Sequence, residues 1–432
     1  MTTINTQRNL VPQDYADRIV DPCAWAEPES MYEVFTWLRA NQPLGKVEHE
    51  DFNPFWLATK FDDISEISRQ NDKFNSAENS SVLTRKIVDQ QIRHITAGSP
   101  HLSRNLVNMD PPEHLKYRSI TQNWFMPKKV RELEARVKEI ASSFADTMIA
   151  NAPECDFVSD IALRYPLHVV MDILGVPEKD EPLMLKLTQE LFGARDPDLA
   201  RDSEKMADPA AAAEVIKKVL ADFASYFNGI AEDRRATPRD DVATVVANAL
   251  VDGEPIKPYE LANYYTVLAT AGHDTTSAST AGAIWALCQF PEQFEKVKKD
   301  PSLIPGLVDE TFRWITPVKH FMRTANEDYQ IRGQTIKAGD WVMLSYQSAN
   351  FDEEKFSNPF EFRIDRQPNK HLAFGHGPHV CIGQHLAKLE LRVLLEALLP
   401  RIKSLKFNGE VKFTKANFIS GPKVLPIRFE IE

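Results

Sequence analysis

A stretch of about 34 residues, Lys257 to Phe290, has the pattern of one helix, about three times as long as the ~11–12 residues of an average helix. Its middle is apolar on most sides, and a helix that is apolar all round is buried. Pro258 suits the first turn of this helix, and Pro291 suits the stop after it. The chain therefore has to fold around a buried central helix, which only a large helix-rich protein can cover.

The remaining pattern predicts a mainly α protein with small β sheets near both ends. Helical periodicity dominates the middle of the chain, and the helical core is expected at roughly 110–320. The β-containing parts are expected at roughly 45–60 and 325–432. Strand patterns are found at 55–59, 329–336, 341–346 and 425–431.

The chain shows no internal repeat and no Gly/Ser/Pro-rich linker. Length alone predicts roughly three domains for a chain of this size. Because nothing marks a boundary, we instead predict one domain over residues 1–432.

Charge excludes one class of partner. The chain has 62 acidic and 51 basic residues, a net charge of -11, so it has no global positive field to hold a nucleic acid. The first thirty residues contain neither the apolar core of a signal peptide nor a membrane span. We therefore expect a cytoplasmic protein with no membrane partner.

The densest chemical information is the loop 371–385, HLAFGHGPHVCIGQH, which runs into an amphipathic helix. Two glycines and a proline constrain it as a turn, and Gly383 allows the backbone to pass close to whatever the sulfur of Cys381 binds. Backbone N–H groups at the start of the following helix favour a thiolate. The loop thus presents Cys381 as an anionic ligand.

Other interpretations of this loop stay open at this point. A dinucleotide-binding loop fails, because Val380 stands where a third glycine is needed. A zinc site is compatible with the composition, since His376, His379 and His385 lie near Cys381, although the spacing is not that of usual zinc sites. A plain turn with a buried cysteine is the simplest alternative.

The pattern Phe374-x-x-Gly377-x-His379-x-Cys381-x-Gly383 resembles the haem-binding signature of the cytochrome P450 family. The resemblance implies one triangular, α-rich domain with haem b buried between the long central helix and the helix after the cysteine loop. It implies that Cys381 is the axial thiolate on the iron. Four hydrogen-bond donors match the positions that bind the haem propionates: His114, Arg118, Arg323 and His379. The other residues that the resemblance implies for holding the haem are Ala271, Phe374, Gly375, Cys381 and Gly383.

A polar cluster, Ala271-Gly-His-Asp-Thr-Thr276, interrupts the long apolar helix, although helix interiors disfavour these residue types. Thr275 is expected to donate its hydroxyl to the carbonyl of Ala271 and so loosen the helix. The result is a local opening lined by an alcohol and a carboxylic acid. Asp274 and Thr275 are thereby predicted to relay protons for dioxygen activation, and the resemblance implies the same roles.

Glu310 and Arg313 lie three residues apart and share one helix face. Such a pair is usually exposed and of little value. The family resemblance implies that it is buried and completed by Arg366. A network of this kind would fix the geometry of the cysteine loop rather than add stability.

The substrate pocket is expected to be apolar and to suit a compact hydrocarbon. Its walls are predicted to come from the segment before Asp110, from 187–195, from the long helix, from 317–321 and from 416–420. The candidate lining residues are Val267, Leu268, Ala271, Val318, Phe321 and Phe418. Residues 165–171 and 181–189 are similar to the terpineol-oxidising bacterial group of the family, which implies a monoterpenoid, p-menthane or alkylaromatic substrate.

The chain has no flavin, nicotinamide or iron–sulfur motif. The resemblance implies that O2 is reduced with electrons from a small iron–sulfur ferredoxin and its reductase. A basic patch on an otherwise acidic chain would suit this acidic partner. The predicted patch consists of Lys128, Lys129, Arg131, Lys388 and Arg392. A monomer is the default oligomeric state.

Two alternative functions make different predictions. A non-catalytic haem protein that senses or carries a gas has no need of Asp274 and Thr275. A peroxide-driven oxygenase of the same family generally replaces both residues, so their presence argues against it. A haem-thiolate monooxygenase uses both, and this is the function that the sequence predicts.

Overall fold

Proline begins several of the long helices, as its fixed φ and missing N–H allow only in a first turn. In this computed structural model, which describes residues 9–194 and 196–432, helices begin at Pro28, Pro127, Pro258 and Pro291. The helices are α1 (Gln13–Val20), α2 (Pro28–Asn41), α3 (Phe61–Arg69), α4 (Lys86–Ile95), α5 (Glu113–Gln122), α6 (Pro127–Ala150), α7 (Arg164–Leu174), α8 (Glu181–Phe192), α9 (Ser203–Ala207), α10 (Pro209–Ala236), α11 (Val242–Ala247), α12 (Pro258–Ala271), α13 (Asp274–Gln289), α14 (Pro291–Lys299), α15 (Ile304–Ile315), α16 (Tyr346–Asn350) and α17 (Gln384–Leu398).

The strands are short and form small sheets. They are β1 (Leu44–His49), β2 (Phe52–Ala58), β3 (Phe74–Asn75), β4 (Glu154–Asp156), β5 (Leu250–Val251), β6 (Glu254–Pro255), β7 (His320–Ala325), β8 (Tyr329–Ile331), β9 (Gln334–Ile336), β10 (Trp341–Ser345), β11 (Ile402–Phe407), β12 (Lys412–Phe413), β13 (Pro422–Val424) and β14 (Pro426–Ile431). The largest sheet has the order β1-β2-β10-β7-β3, and a second has the order β11-β14-β4. The other pairs are β5-β6, β8-β9 and β12-β13.

The register of the large sheet positions two side chains of the site. β10 is parallel to β2 and antiparallel to β7, with Val342 opposite Arg323 and Leu344 opposite Phe321. Side chains two residues apart along a strand point to the same face. Phe321 and Arg323 therefore project together from β7.

Helix α13 is the buried centre of the fold. Nearly every residue from Thr276 to Leu287 is buried, as expected for a helix without a polar face. Small residues let neighbouring helices approach closely: a Cβ on Gly282 would lie 2.2 Å from the Ile315 side chain of α15. Helix α17 packs against α6 and α15, which places the cysteine loop close to α13.

The predicted fold class, mainly α with small β sheets, is confirmed, but the long helix is not continuous. Residues 257–290 form α12 and α13, separated at Gly272 and His273. Strand patterns at 55–59, 341–346 and 425–431 correspond to β2, β10 and β14. β4, β5 and β6 lie inside the predicted helical region and are too short to give a periodic pattern. No helix in the described part of the chain has the length and apolarity needed to cross a bilayer.

Candidate active site

Tight backbone packing holds the cysteine loop. Gly375 and Gly377 have φ values of 71° and 72°, in the left-handed region that side chains disfavour. A Cβ on Gly377 would lie 2.2 Å from the carbonyl oxygen of Ser68, so no larger residue fits. The backbone N–H of Cys381 donates to the carbonyl of Phe374 at 2.9 Å and closes the loop. The loop is thus a rigid mount for one sulfur atom.

The sulfur of Cys381 faces an internal cavity. The side chain is surrounded by protein yet accessible from that cavity. Burial raises the pKa of the thiol, whereas N–H groups of Gly383 and Gln384 and the charge of Arg118 act in the opposite direction. The predicted N–H donors are present, but they do not by themselves make the thiol an anion. A bound metal cation would, because coordination deprotonates a thiol.

The cavity in front of Cys381 has a volume of about 240 Å³. Its opposite wall is formed by Ala271, Gly272, Thr275 and Thr276, at the break between α12 and α13. Phe374 and Gly375 also line it. Ala271 is exposed to this cavity although it lies in the centre of the fold. The space therefore has the layout that a flat apolar group with one axial sulfur ligand requires.

Four nitrogen-bearing side chains form one edge of this cavity. His114 and Arg118 come from α5, Arg323 from β7 and His379 from the cysteine loop. The rings of His114 and His379 have centroids 4.3 Å apart, and Arg118 donates to the carbonyl of Val380 at 2.8 Å. Such a cluster of donors is favourable only beside an anion.

Electrostatics at this edge also favour the binding of an anion. Burial and the neighbouring arginines lower the pKa of His114 to about 4 and that of His379 to about 2. Nδ1 of His114 is buried and has no hydrogen-bond partner among the described residues, which is uncommon. The edge thus fits the two propionate carboxylates of haem, and the axial sulfur and apolar walls fit its iron and its ring. All of the predicted haem-holding residues lie on this cavity.

The break between α12 and α13 has several local causes. Thr275 donates its hydroxyl to the carbonyl of Ala271 at 2.8 Å, as predicted. A Cβ on Gly272 would lie 2.7 Å from Val170, so glycine is needed where α7 crosses. His273 was not predicted to matter, yet its Nε2 lies 2.8 Å from the carbonyl of Leu163. Since a carbonyl only accepts, Nε2 carries the hydrogen, and this buried ring fixes the break.

Asp274 and Thr275 point in different directions. Thr275 lines the Cys381 cavity, but Asp274 lines a separate cavity of about 190 Å³ on the other side of α13. The prediction that both side chains line one opening is therefore wrong, because successive helix residues are rotated by about 100°. Burial raises the pKa of Asp274, and the adjacent His273 opposes this in part.

A second cavity, of about 720 Å³, continues from the Cys381 cavity. Val267, Ala271, Val318 and Phe321 line both cavities, whereas Leu268 lines only the inner one and Phe418 only the outer one. All six predicted lining residues are therefore found. The predicted wall segment 187–195 contributes Leu191, Phe192 and Ala194, and its last residue, Arg195, lies outside the described residues.

The outer cavity is not wholly apolar, which corrects the prediction. Hydroxyl and amide groups contribute to its wall, among them Thr266, Thr270, Ser103, Asn105 and Asn417. The threonine hydroxyls donate to carbonyls one turn back on α12, so their lone pairs remain free to accept. The periodicity of α12 could not reveal this, because threonine satisfied within its own helix behaves as a core residue.

Glu310 is the centre of a fully buried network. Its carboxylate accepts two bonds from Arg313 at 2.8 Å and one from the Nε–H of Arg366, which both oxygens share at 3.1 Å. It also accepts from the backbone N–H of Arg363 at 2.9 Å and from Asn369 at 3.0 Å. Glu310 and Arg313 have no exposed side-chain surface. The predicted triad is therefore assembled, with two further donors.

This network reaches the cysteine loop through one more residue. Arg313 donates to the carbonyl of Asn350 at 2.8 Å, and the Asn350 side chain accepts from the N–H of Leu372 at 2.7 Å. Phe312 also contacts Phe374, with ring centroids 4.6 Å apart. The contacts link α15 directly to the start of the loop.

The predicted basic patch is assembled but largely neutralised. Arg392 of α17 bonds Glu134 of α6 at 2.9 Å and Glu396 at 2.7 Å, and Lys388 pairs with Asp309 at 2.7 Å. Lys129 lies over the Trp124 ring and within 3.6 Å of Glu132. Lys128 and Arg131 are exposed and form no ion pair with another described residue. Those two are the free cations of the patch.

Sequence reasoning missed Glu390. Its carboxyl lies on the buried side of α17 and lines the Cys381 cavity, and burial raises its pKa well above the usual value. Its position between Leu386 and Leu394, four residues away on each side, was a usable signal. The zinc interpretation finds no support, since no three His, Cys, Asp or Glu side chains converge as metal ligands within residues 9–194 and 196–432.

Comparisons with known proteins agree with this geometry. The family model described as Cytochrome P450 matches residues 76–420. Cytochrome P450-terp of a Pseudomonas species is 48% identical over 422 residues, covering 98% of this chain and 99% of that protein. A methyl-branched lipid omega-hydroxylase of Mycobacterium bovis is 34% identical, covering 93% and 92%.

Solved structures of similar proteins have the same fold. The crystal structure of CYP108D1 from Novosphingobium aromaticivorans superposes with a TM-score of 0.90 at 45% identity, covering 98% of this chain and 100% of that one. Cytochrome P450 CYP268A2 of Mycobacterium marinum, solved in complex with pseudoionone, superposes with a TM-score of 0.84 at 28% identity, covering 98% of both chains.

Proposed function

Because the chain belongs to the cytochrome P450 family and is a haem-thiolate monooxygenase, we propose that it hydroxylates a monoterpenoid or similar p-menthane or alkylaromatic compound with electrons from a ferredoxin. One observation carries the substrate proposal: a largely apolar chamber opens directly onto Thr275 and the Cys381 cavity. The alternative of a gas carrier or sensor has no support in the comparisons. Two relatives are named for an activity of the proposed kind, a methyl-branched lipid omega-hydroxylase and a steroid C26-monooxygenase.

The haem, when bound, supplies the binding and reductive activation of dioxygen. Cys381 would hold its iron, and His114, Arg118, Arg323 and His379 would hold its propionates. The apolar walls exclude water from the reacting centre. The rigid loop and its α15 support keep the sulfur in place during turnover.

We assign proton delivery to Asp274 and Thr275. The Thr275 hydroxyl lies on the cavity wall, and because its one hydrogen is donated to Ala271, its lone pairs can accept a hydrogen bond and position a water there. Its bond to Ala271 fixes its orientation. Asp274 lies behind it, and the raised pKa of this carboxyl makes protonation easier near neutral pH than for an exposed aspartate. Asp274 is thus suited to hold a proton at the break between α12 and α13, on the other side of α13 from Thr275.

The substrate class follows from the mixed lining of the chamber. Its apolar walls favour a hydrocarbon skeleton, while Thr266, Thr270 and Asn417 offer hydrogen bonds to one polar group. A monoterpene alcohol meets both requirements. The name of one similar protein, Cytochrome P450-terp, favours the same class.

A binding panel tests this proposal. Purified haem-loaded protein is titrated with a p-menthane alcohol, the matching hydrocarbon without the hydroxyl and a sugar of similar mass, and the Soret band is followed. We expect the alcohol to bind about tenfold more tightly than the hydrocarbon, as one hydrogen bond of ~1.4 kcal/mol requires. The sugar should give no shift. A preference for the sugar, or for a long-chain fatty acid over every compact compound, would contradict the proposal.

The proposed ferredoxin contact predicts an effect of the two free cations. Changing Lys128 and Arg131 to Glu should lower the rate of reduction by ferredoxin roughly tenfold at low salt, because electrostatic steering is lost. Stopped-flow absorbance measures this rate, and substrate affinity should not change. Lys406→Glu is the matched control, since Lys406 is exposed on β11. Equal reduction rates for the double variant and the control would show that ferredoxin does not bind at Lys128 and Arg131.

A further inference from the structure

Three threonines form a polar stripe on the wall that α12 and α13 present to the substrate chamber. Thr266, Thr270 and Thr275 all line the outer cavity of about 720 Å³, and Thr275 also lines the Cys381 cavity. Thr266 and Thr270 are almost fully buried, and four residues of helix separate them, so they share one face of α12. The stripe therefore runs from the outer chamber to the reaction centre.

The hydrogen of each hydroxyl in the stripe is already donated. Thr266 donates to the carbonyl of Ala262 and Thr270 donates to the carbonyl of Thr266, each at 2.8 Å. Thr275 donates to the carbonyl of Ala271, also at 2.8 Å. A hydroxyl has one hydrogen and two lone pairs, so each threonine can still accept a bond while it keeps the one it makes. The stripe thus offers acceptors to a ligand.

An alcohol and a ketone of the same skeleton interact differently with such a stripe. The alcohol donates its hydrogen to a threonine lone pair and adds one hydrogen bond. The ketone has no hydrogen to donate, so it gains a bond only if the threonine turns its hydroxyl away from the helix carbonyl. One hydrogen bond is then exchanged for another, which gives little net free energy. The stripe therefore favours the alcohol.

Other polar groups on the chamber wall do not alter this preference. The hydroxyl of Ser103 donates to Asn263 at 3.1 Å, and the amide of Asn108 donates to the carbonyl of Ser103 at 2.8 Å. Asn417 and Ser81 also line the chamber, and the amide nitrogen of Asn417 makes only a long bond of 3.5 Å to the carbonyl of Val20. A donor of this kind bonds the oxygen of an alcohol and of a ketone alike, so it does not distinguish them.

Reach decides which threonine a compact substrate uses. An α-helix rises 1.5 Å for each residue, so along the axis Thr270 lies about 7.5 Å from the level of Thr275, and Thr266 lies about 13.5 Å from it. A monoterpenoid skeleton bridges the shorter distance but not the longer one. Thr270 is therefore the acceptor that a substrate in contact with the reaction centre can use.

We propose that Thr270 accepts a hydrogen bond from a hydroxyl of the substrate and makes the enzyme selective for an alcohol over the ketone of the same skeleton. This inference rests on the proposed function and specifies the polar group that the chamber recognises. It also orders the reactions of a secondary alcohol. Dehydrogenation of this hydroxyl to a carbonyl must follow the hydroxylation, because the ketone is held less tightly.

The test compares menthol with menthone, which share one skeleton. Each is titrated into purified haem-loaded protein, and affinity is measured by the Soret shift and, independently of the haem spectrum, by equilibrium dialysis. We expect wild type to bind menthol about tenfold more tightly than menthone, the effect of one net hydrogen bond. Thr270→Val removes the acceptor at nearly constant volume, so the menthol affinity should fall about tenfold and the preference should vanish.

Two further variants separate recognition from packing. Thr270→Ser keeps the hydroxyl and should keep the preference for menthol. Thr280→Val removes a buried hydroxyl of α13 that lines neither the chamber nor the Cys381 cavity, and it should leave both affinities unchanged. If Thr270→Val does not fold, Thr270→Ala should lose the preference in the same way.

Equal affinities for menthol and menthone in the wild type would overturn the proposal, as would an unchanged ratio of affinities in Thr270→Val. A failure of the proposed function has a different signature. In that case neither compound would bind more tightly than the sugar of the binding panel. Tight but equal binding of both compounds would refute the selectivity alone.

Discussion

Replacing Asp274 with asparagine should lower turnover by about a hundredfold or more, the range of a positioned acid–base group. Asparagine has no acidic proton to release, so turnover should fall. Because it has the same size as aspartate, substrate affinity should stay unchanged. The rate of product formation with saturating ferredoxin, and the solvent isotope effect on that rate, measure the change. Asp274→Glu keeps a carboxyl and should recover part of the lost rate. Wild-type turnover and isotope effect in Asp274→Asn would contradict the assigned role.

The same variant should be more stable than the wild type at neutral pH. Burial raises the pKa of Asp274 in the folded protein, so the folded state holds this proton more tightly than the unfolded chain. Binding of this proton stabilises the fold fully below the pKa of Asp274 in the unfolded chain, ~3.9. That stabilisation is lost as the pH rises through the pKa of Asp274 in the folded protein. Asparagine shows no such loss. The stability difference, measured by urea unfolding, should therefore shrink on acidification.

Glu310→Ala should cost about 3–5 kcal/mol of the free energy of unfolding, the usual effect of breaking a buried ion network on one side. Two buried arginines would lose their carboxylate while their charges remain inside the protein. Because Arg313 holds Asn350, and Asn350 holds Leu372, we also expect the cysteine loop to loosen and haem retention to fall. Urea unfolding and the haem-to-protein absorbance ratio measure the two effects.

An exposed ion pair in the same region is the control. Lys296 bonds Asp365 at 2.7 Å, with both side chains about two-fifths exposed. Asp365→Asn should cost less than ~1 kcal/mol, as exposed pairs do. If Glu310→Ala were no more destabilising than this control, the network would not be the support of the loop.

Local chemistry explains which parts of the site could be predicted from sequence. The cysteine loop, the Thr275 bond to Ala271 and the Glu310–Arg313 pair each lie within a few residues, so spacing and residue type determine them. Helix α13 was recognisable as buried because it lacks a polar face. Its break was harder to place, since Gly272 and His273 act through contacts with α7 and the Leu163 carbonyl, which are distant in sequence.

Interactions between distant segments explain what was missed. The direction of Asp274 depends on which elements pack on each side of α13. Arg392 appeared to be a free cation because Glu134, its partner, is 258 residues away. Likewise, the polar wall of the substrate chamber is formed by several segments, and each of them alone looks like ordinary core or loop.

The outer chamber and the separate cavity beside Asp274 share Phe192 and Ile419 in their linings. These two side chains thus form the partition between the two cavities. Engineering for a bulkier substrate is safest at Phe418, which lines the outer chamber but neither the cavity beside Asp274 nor the Cys381 cavity. Thinning the partition would merge the two cavities and let water reach the reaction centre, diverting reducing equivalents into futile oxygen consumption.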